Sequence, residues 1–339
     1  MIIPFMNGVW ARKNVNKKIA HLSHSDVKKI AILRHAALGD MVLTRCFIIE
    51  TKKLFPSARI TLSVISNYTR GIPEDLIDRV HVIHGTDQRD APIGERIRKI
   101  KELGPQDIIF DLAAGNRSFL TCLFTSATLK IGFPYRKIMA WMFYDITTCR
   151  SDLNFEVNDM LGMLHIFGAK TEYPHVYDMP GEAVKRDRPF IVYFIGASGP
   201  EKCWPKENFS ELITKMAAEF PDKDHLVLGG LKDWERADTV LDLIGELKNV
   251  AAIDTDTIEK TVSLMKGADL LVSNDTGIRH VAITCNTPTV CIFPGKPYRY
   301  WPRYDIHDAV FPEINYDVVC VEETFDSCSG LIRRIESSK

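Results

Sequence analysis

The 339-residue chain predicts an α/β fold built from two Rossmann-like domains whose parallel sheets face across a cleft. Three observations carry this reading. Short apolar runs alternate with stripes of helical period, the β-α-β-α order of a parallel sheet covered on both faces. The alternation breaks once, over residues 168–189, into "GAKTEYPHVYDMPGEAVKRDRP", rich in Gly, Pro and charge. The length also exceeds what one core usually organises, and two domains of about 150 residues are expected. The expected division is an N-terminal domain over 1–180 with an extension at 1–28, a C-terminal domain over 186–325, and a terminal helix over 326–339.

In the first half, "KKIAILR" reads as a strand that ends in "HAALGD" and enters a helix near residues 40–54; "ARITLSV" and "DRVHVIH" are the next strands. Ile93, Ile97 and Ile100, at i, i+4 and i+7, mark a helix before the strand "DIIFDL". A helix over 116–127 and the strand "LKIGF" follow. After the break, "PFIVYFIG" restarts the alternation. Phe209, Leu212, Ile213, Met216 and Phe220 then form a helical stripe behind Pro205, a residue suited to a first turn. "DHLVLGG", a helix over 232–246, "NVAAI", a helix carrying Ile258, Val262 and Met265, "ADLLVS", a helix from 276 and "TPTVCIF" bring the second sheet to about six strands. Neither a repeat between the halves nor a low-complexity tract is visible.

Hydrophobic residues make up 45% of the chain, enough for two cores. The net charge of -1 conceals an asymmetry: residues 1–60 hold 11 Lys/Arg against Asp26, Asp40 and Glu50, a balance of +8 that leaves -9 for the rest. Such an end is either ordinary solvated surface or a binding face for anions, whether phosphorylated ligands, nucleic acid or a membrane. The eight cysteines form no C-x-x-C pair, and most read as reduced core residues, with Cys320 and Cys328 flanked by acids near the C-terminus. "MIIPFM" is too short for a signal segment, and no apolar run approaches the roughly 18 residues of a membrane span. Any membrane contact is therefore expected to be peripheral.

Ligands of open parallel sheets bind beyond the C-terminal strand ends, which selects four loops. In "RHAALGD", Gly39 relaxes the turn and Asp40 places a carboxylate at a helix start, where it either caps the helix or faces the ligand. No G-x-G-x-x-G is present, so a dinucleotide fingerprint is absent. In "GASGPEKCWP", small residues admit a ligand, Ser198 offers a hydroxyl and Lys202 a mobile charge for phosphate; Trp204 reads as a packing anchor. "GGLKDWE" contains Gly230 at another strand end. In "SNDTGIRH", the backbone N–H groups of Thr276, Gly277 and Ile278 at a helix N-terminus suit a phosphate. There Asp275 fixes the loop or accepts from a sugar hydroxyl, and His280 faces either ligand or core.

Taken together, "ILRHAALGDMVLT", "DLAAGNRSFL", "KIGFPYRKIMAWMFY", "GASGPEKCWPKENFSEL" and "ADLLVSNDTGIRHVAITCNTPTVCIF" resemble, in order and spacing over about residues 29–305, glycosyltransferase family 9, the lipopolysaccharide heptosyltransferases. The resemblance implies a GT-B fold that moves heptose or a similar sugar, with inversion, from a nucleotide diphosphate sugar to a lipopolysaccharide-type or other saccharide acceptor. It implies Asp40 as general base, Lys202 and Ser198 at the donor phosphates, and Asp275, Thr276, Gly277 and His280 around the pyrophosphate and sugar. Gly230 joins the donor side; Gly39 and Arg117 lie on the acceptor side. The chain departs from the family pattern at His35 and Ala36 in the first loop, at "FPGKP" (Phe293 to Pro297), and at Leu231 and Lys232, where an acidic residue usually reads the nucleoside.

No acidic metal-binding cluster such as D-x-D is read in a loop, no cofactor is expected, and basic groups are expected to take the place of a divalent ion. The expected partners are a nucleotide-sugar donor and an anionic saccharide or glycolipid acceptor, with peripheral membrane contact and no nucleic acid. The expected location is the cytoplasm, at the inner membrane face. The alternatives are a nucleotide-sugar epimerase of similar shape and a degenerate member that binds nucleotide sugar without turnover.

Overall fold

The computed structural model describes residues 10–134, 140–230, 232–295, 298–312 and 318–338. Residues 1–9 of the expected extension, Leu231, and Lys296–Pro297 of the "FPGKP" loop lie outside the described residues. The chain divides into two compact units, the first ending at Tyr177 and the second beginning at Asp178, within the Gly- and Pro-rich stretch.

The first unit runs β1 (Trp10–Ala11), α1 (Val15–His21), β2 (Lys29–Leu33), α2 (Leu38–Leu54), β3 (Arg59–Ile65), β4 (Arg79–Ile83), α3 (Ile93–Lys101), β5 (Gln106–Asp111), α4 (Asn116–Phe124), β6 (Ala127–Gly132), α5 (Ala140–Phe143), β7 (Ile146–Thr147) and α6 (Glu156–His165). Its sheet has the order β1-β7-β6-β5-β2-β3-β4, and only the β1–β7 pairing is antiparallel. The second unit runs β8 (Phe190–Phe194), α7 (Lys206–Glu219), β9 (Asp224–Leu228), α8 (Asp238–Ile244), β10 (Val250–Ile253), α9 (Ile258–Gly267), β11 (Leu270–Asn274), α10 (Gly277–Thr284), β12 (Thr289–Ile292), β13 (His307–Val310) and α11 (Val321–Glu336). Its strands lie in the order β10-β9-β8-β11-β12-β13, all parallel.

Counted from β2 and from β8, both sheets have the 3-2-1-4-5-6 order of a doubly wound fold. The chain reverses direction across the sheet between β2 and β5, and again between β8 and β11. Those are the topological switch points at which such sheets bind ligands. The loops leaving these four strands are "RHAA", "LAAG", "IGASG" and "DT".

The central strands are apolar throughout because helices cover both faces: Ile30 to Leu33 and Ile191 to Tyr193 are fully buried. In the first unit, Phe110 of β5 packs edge-on against Phe47 of α2 at 5.2 Å, and Phe167 lies 5.2 Å from Phe55 and 6.2 Å from Phe110. Truncating such a ring to alanine costs about 3–5 kcal/mol. In the second, Phe209, Leu212, Ile213 and Met216 of α7 and Cys328, Leu331 and Ile332 of α11 join one core with β8 and β11.

Several elements differ from the sequence reading. Helix α2 starts at Leu38 behind an extended Ala37, because the turn is made before Gly39 rather than at it. Helix α4 ends at Phe124, where an extended Thr125 feeds β6. The helix expected over 232–246 splits into a 3-10 turn at Asp233–Glu235 and α8, separated by an extended Arg236 and closed by Gly245 at φ 75°. Helix α11 begins at Val321, five residues before the expected 326, since Thr324 already lies in the buried face. In α3 only Ile100 of the isoleucine stripe is buried, while Ile93 is 74% exposed; the helix meets the sheet at its C-terminal end. Strands β1, β7 and β13 carry no long apolar run and were not legible.

Candidate active site

On the first unit, Asp40 stands in the first turn of α2. Ala37 occupies the N-cap and Asp40 makes no capping bond, so of the two sequence readings the capping one is not what the structure shows. Its carboxylate is 37% exposed and lies 3.4 Å from Nη2 of Arg34, a side chain only 2% exposed. Arg34 also donates through Nε to the Asp40 carbonyl (3.3 Å) and through Nη1 to the Leu112 carbonyl (3.1 Å) and Glu156 Oε1 (3.0 Å). Glu156, itself buried, accepts a second bond from Arg150 Nη2 at 3.2 Å. One guanidinium thus ties the loops after β2 and β5 to α6 and presents the Asp40 carboxylate at the switch point. Gly39 is buried beside it.

The loop after β5 is shaped by Asp111, which accepts from the amides of Ala113 (2.9 Å) and Ala114 (2.8 Å) and from Tyr144 Oη (2.6 Å). These bonds hold Ala114 at φ 48°, a left-handed conformation that costs a side-chain-bearing residue roughly 1–2 kcal/mol. Burial raises the Asp111 carboxyl above the ordinary carboxylate range, against the opposing effect of those donors. Arg117 follows in the first turn of α4 and is partly exposed, its Nε donating to the His84 carbonyl at 3.1 Å. His35, which replaces the family's usual leucine, has a buried Nε2 without a hydrogen-bond partner. Desolvation, with His81 and Arg117 nearby, lowers its pKa to about 3, so the ring is neutral.

On the second unit, Asn274 closes β11. It is 1% exposed, donates to the carbonyls of Ile195 (2.7 Å) and Gly196 (3.2 Å), and accepts from the Trp204 amide at 2.9 Å. The two switch-point loops are stapled through this one amide. Trp204 is a packing anchor, with its Nε1 on the Val319 carbonyl at 2.9 Å and its ring edge-on to Phe209. Ser198 and Lys202 are exposed on the same loop.

Thr276 is the N-cap of α10 and its Oγ1 accepts from the Ile278 amide at 3.1 Å. Of the three amides assigned to a phosphate, that of Ile278 is therefore taken, which corrects the sequence reading; the Thr276 hydroxyl hydrogen remains to be donated. Gly277 is the first residue of the helix. Asp275 is 34% exposed and pairs through Oδ1 with Arg279 Nη2 at 2.9 Å. Arg279 is buried over the Phe293 ring at 5.1 Å, donates to the Tyr300 carbonyl at 2.8 Å, and also meets His280 Nε2 at 3.0 Å. His280 is buried and engaged by its neighbour.

Glu235 is a buried acid beside these loops that the sequence analysis did not assign. A Cβ on Gly196 would stand 2.5 Å from Glu235 Cγ, and one on Gly230 would stand 2.5 Å from Glu235 Cβ and Oε2. Both glycines are thus required by close approach of this one buried side chain. Glu235 stands four residues after Leu231 and three after Lys232. Asp254, Thr255 and Asp256 form a D-x-D triplet in the loop between β10 and α9, which corrects the sequence reading that no such triplet stands in a loop. Asp256 pairs with Lys260 at 2.9 Å and Asp254 Oδ1 lies where a Cβ on Gly229 would point. Among the described residues no three His, Cys, Asp or Glu are grouped to hold a metal ion. All eight cysteines are free, and no helix of the described residues is long and apolar enough to cross a membrane.

A family model, glycosyltransferase family 9 (heptosyltransferase), matches residues 96–325. The chain is 23% identical over 298 residues to lipopolysaccharide heptosyltransferase 1 of Campylobacter coli, covering 79% of this chain and 84% of that protein. The E. coli heptosyltransferase WaaC solved with ADP matches at TM-score 0.73 and 18% identity over 89% of this chain and 99% of that one. A family 9 glycosyl transferase from Veillonella parvula DSM 2008 matches at TM-score 0.70 and 20% identity over 92% and 99%. The shared fold is the GT-B type, two parallel-sheet α/β domains. A family match spanning more than half of the sequence does not favour the epimerase or the binding-only reading. The chain belongs to glycosyltransferase family 9 and is a glycosyltransferase.

Proposed function

We propose that this enzyme transfers heptose or a closely similar sugar, with inversion, from an ADP-type nucleotide sugar to a lipopolysaccharide-type saccharide acceptor. The names of its relatives support the substrates. The observation that carries the mechanism is the Asp40 carboxylate, half-exposed at a switch point and held by a buried guanidinium. Asp40 lies outside the matched segment 96–325, so its role rests on this geometry and on the L-G-D motif.

The acceptor hydroxyl oxygen attacks the anomeric carbon as its proton passes to an Asp40 oxygen, and the bond from that carbon to the diphosphate oxygen breaks. General-base assistance of this kind is worth roughly 10²- to 10⁴-fold. The leaving diphosphate gains negative charge, which the Lys202 ammonium, the Ser198 and Thr276 hydroxyls and the amide end of α10 offset. Asp275 and His280 act through Arg279, which fixes the loop entering α10. Glu235, set against Gly230 and Gly196, accepts from the ribose hydroxyls. Arg117 and Gly39 belong to the acceptor side. No divalent ion is required in this scheme; full turnover in EDTA is the expected result.

The test is transfer from a panel of nucleotide sugars, ADP-heptose among them, to a lipopolysaccharide core acceptor, with product mass and anomeric configuration read by mass spectrometry and NMR. An inverted glycosidic product is expected. Hydrolysis without transfer, epimerised nucleotide sugar, or a product of retained configuration would contradict the proposal.

A further inference from the structure

Behind "FPGKP", where the chain departs from the family pattern, the stretch "YRYWPRY" (Tyr298 to Tyr304) interleaves aromatic and basic residues in the loop between β12 and β13. The proposed reaction gives this loop no role. It is fastened at two points. Arg279, the buried cation that holds Asp275 at the entry to α10, donates through Nη1 to the Tyr300 carbonyl at 2.8 Å, and the His280 ring lies edge-on to the Tyr300 ring at 6.3 Å. Trp301 donates through Nε1 to the His307 carbonyl at 2.7 Å, which ties it to the start of β13.

Arg303, between those anchors and β13, is exposed and sits at φ 53°, in the left-handed region that a residue with a side chain rarely adopts. Its guanidinium carbon lies 5.3 Å from the Tyr298 ring centroid and 5.8 Å from that of Trp301. Such contacts orient the guanidinium without using its N–H groups. Among the described residues this guanidinium makes no hydrogen bond or ion pair, whereas Arg34, Arg45 and Arg279 spend theirs inside the fold. A pre-oriented fork of five unused donors is placed for oxygen acceptors outside the chain, and left-handed strain at a residue other than glycine is a feature that ligand sites retain.

The topology indicates which part of a ligand reaches it. The neighbouring strands run β9-β8-β11-β12, so Glu235, after β9, and the loop after β12 lie on opposite sides of the switch point. With the ribose at Glu235 and the diphosphate at the entry to α10, a nucleotide sugar laid across the strand ends has its sugar on the β12 side. We infer that Arg303, held by Tyr298 and Trp301, is a specificity-determining residue for the donor and donates to hydroxyl groups of the transferred sugar. The inference rests on the proposed placement of the nucleotide; the stacked, unused guanidinium is independent of it. A phosphate would satisfy the same donors, but the diphosphate already has Lys202, Ser198, Thr276 and the amide end of α10.

The experiment is calorimetric titration of the full chain with ADP and with ADP-heptose, for wild type, Arg303→Ala and Arg303→Lys, with the acceptor KM measured at saturating ADP-heptose. Arg303→Ala should weaken ADP-heptose binding by about tenfold or more, the worth of hydrogen bonds from a charged donor. ADP affinity should stay within about twofold of wild type, and the acceptor KM should not change. Arg303→Lys keeps the charge but loses the planar fork, so its ADP-heptose affinity should fall between the two. Both variants should melt as the wild type does, because the side chain is exposed and neither alanine nor lysine is freer than arginine at this φ. Equal losses for ADP and ADP-heptose in a variant with the wild-type melting curve would assign Arg303 to the diphosphate and overturn the inference. So would a change confined to the acceptor KM, or unchanged affinities in both variants. A wild type that binds ADP-heptose without transferring the sugar would contradict the proposed reaction, while the comparison of ADP with ADP-heptose still decides the role of Arg303.

Discussion

Replacing Arg34 by methionine tests whether one buried cation organises the N-terminal half of the site. Arg34 and Glu156 are each 2% exposed and 3.0 Å apart. Removing one member of a buried pair costs about 3–5 kcal/mol, because the remaining charge stays desolvated. Glu156 keeps Arg150 at 3.2 Å, which places Arg34→Met near the lower end, about 3 kcal/mol. For a domain of this size that corresponds to a fall in melting temperature of about 6–12 °C. Adding Glu156→Gln removes the stranded charge, so the double variant should recover at least about 1 kcal/mol relative to additivity. The same change frees the Asp40 carboxylate from the guanidinium 3.4 Å away. A fall in kcat of about tenfold with unchanged donor affinity is expected, the mark of a lost positioning contact. Differential scanning calorimetry of the single and double variants, with steady-state transfer kinetics, measures both effects. A single variant that melts within 2 °C, or about that, of wild type, or a strictly additive double variant, would refute the reasoning.

Lys202→Ala should weaken donor binding and slow transfer together, since the exposed ammonium meets phosphate charge in the ground state and more of it as the diphosphate leaves; isothermal titration with ADP and kcat measurement separate the two. Gly230→Ala places a Cβ 2.5 Å from Glu235, and should cost about 1–3 kcal/mol in urea unfolding and reduce ADP affinity, whereas unchanged affinity would remove Glu235 from the donor side. His307 is buried, shares a hydrogen bond with Thr289 Oγ1 at 3.0 Å, and burial lowers its pKa from 6.5 to about 3. The folded state therefore disfavours its proton. Its contribution to stability is complete above pH 6.5 and is lost as pH falls toward 3, by about 1.4 kcal/mol per pH unit. Urea unfolding at pH 7.5 and 5.0, buffered within about 0.1 unit, should show a smaller difference in His307→Gln than in wild type.

Much of the fold was legible because parallel strands inside helical layers must be apolar on both faces, and runs such as "KIAIL" and "FIVYF" have few other uses. Strands that contribute two residues, as β1 and β7 do, or that read His-Asp-Ala-Val, as β13 does, lack that constraint and were invisible. The loops of the site were located by the switch-point rule, and small residues at 196 and 230 signalled close approach. What approaches them is Glu235: for Gly230 the contact is local, the Gly230 amide donating to the Glu235 carbonyl at 2.9 Å, whereas the approach to Gly196 is made by tertiary packing that local pattern does not encode. Arg34, Glu156, Asn274 and Arg279 were likewise passed over as site-building residues, since each acts on a loop that is distant in sequence or on a neighbour whose role was read in isolation. The capping reading of Asp40 failed for a local reason: the helix begins two residues earlier, at Leu38 behind an extended Ala37.

The central claim is that Asp40 accepts the acceptor proton while the C-terminal half holds the donor. Single-turnover transfer by Asp40→Asn, started with saturating ADP-heptose and followed by rapid quench, tests it most directly when paired with calorimetric donor binding. The side chain keeps its size and its place beside Arg34 but loses its basicity. The account predicts a chemical step slower by about two to four orders of magnitude with donor affinity within about twofold of wild type. A transfer rate within about threefold of wild type would contradict it.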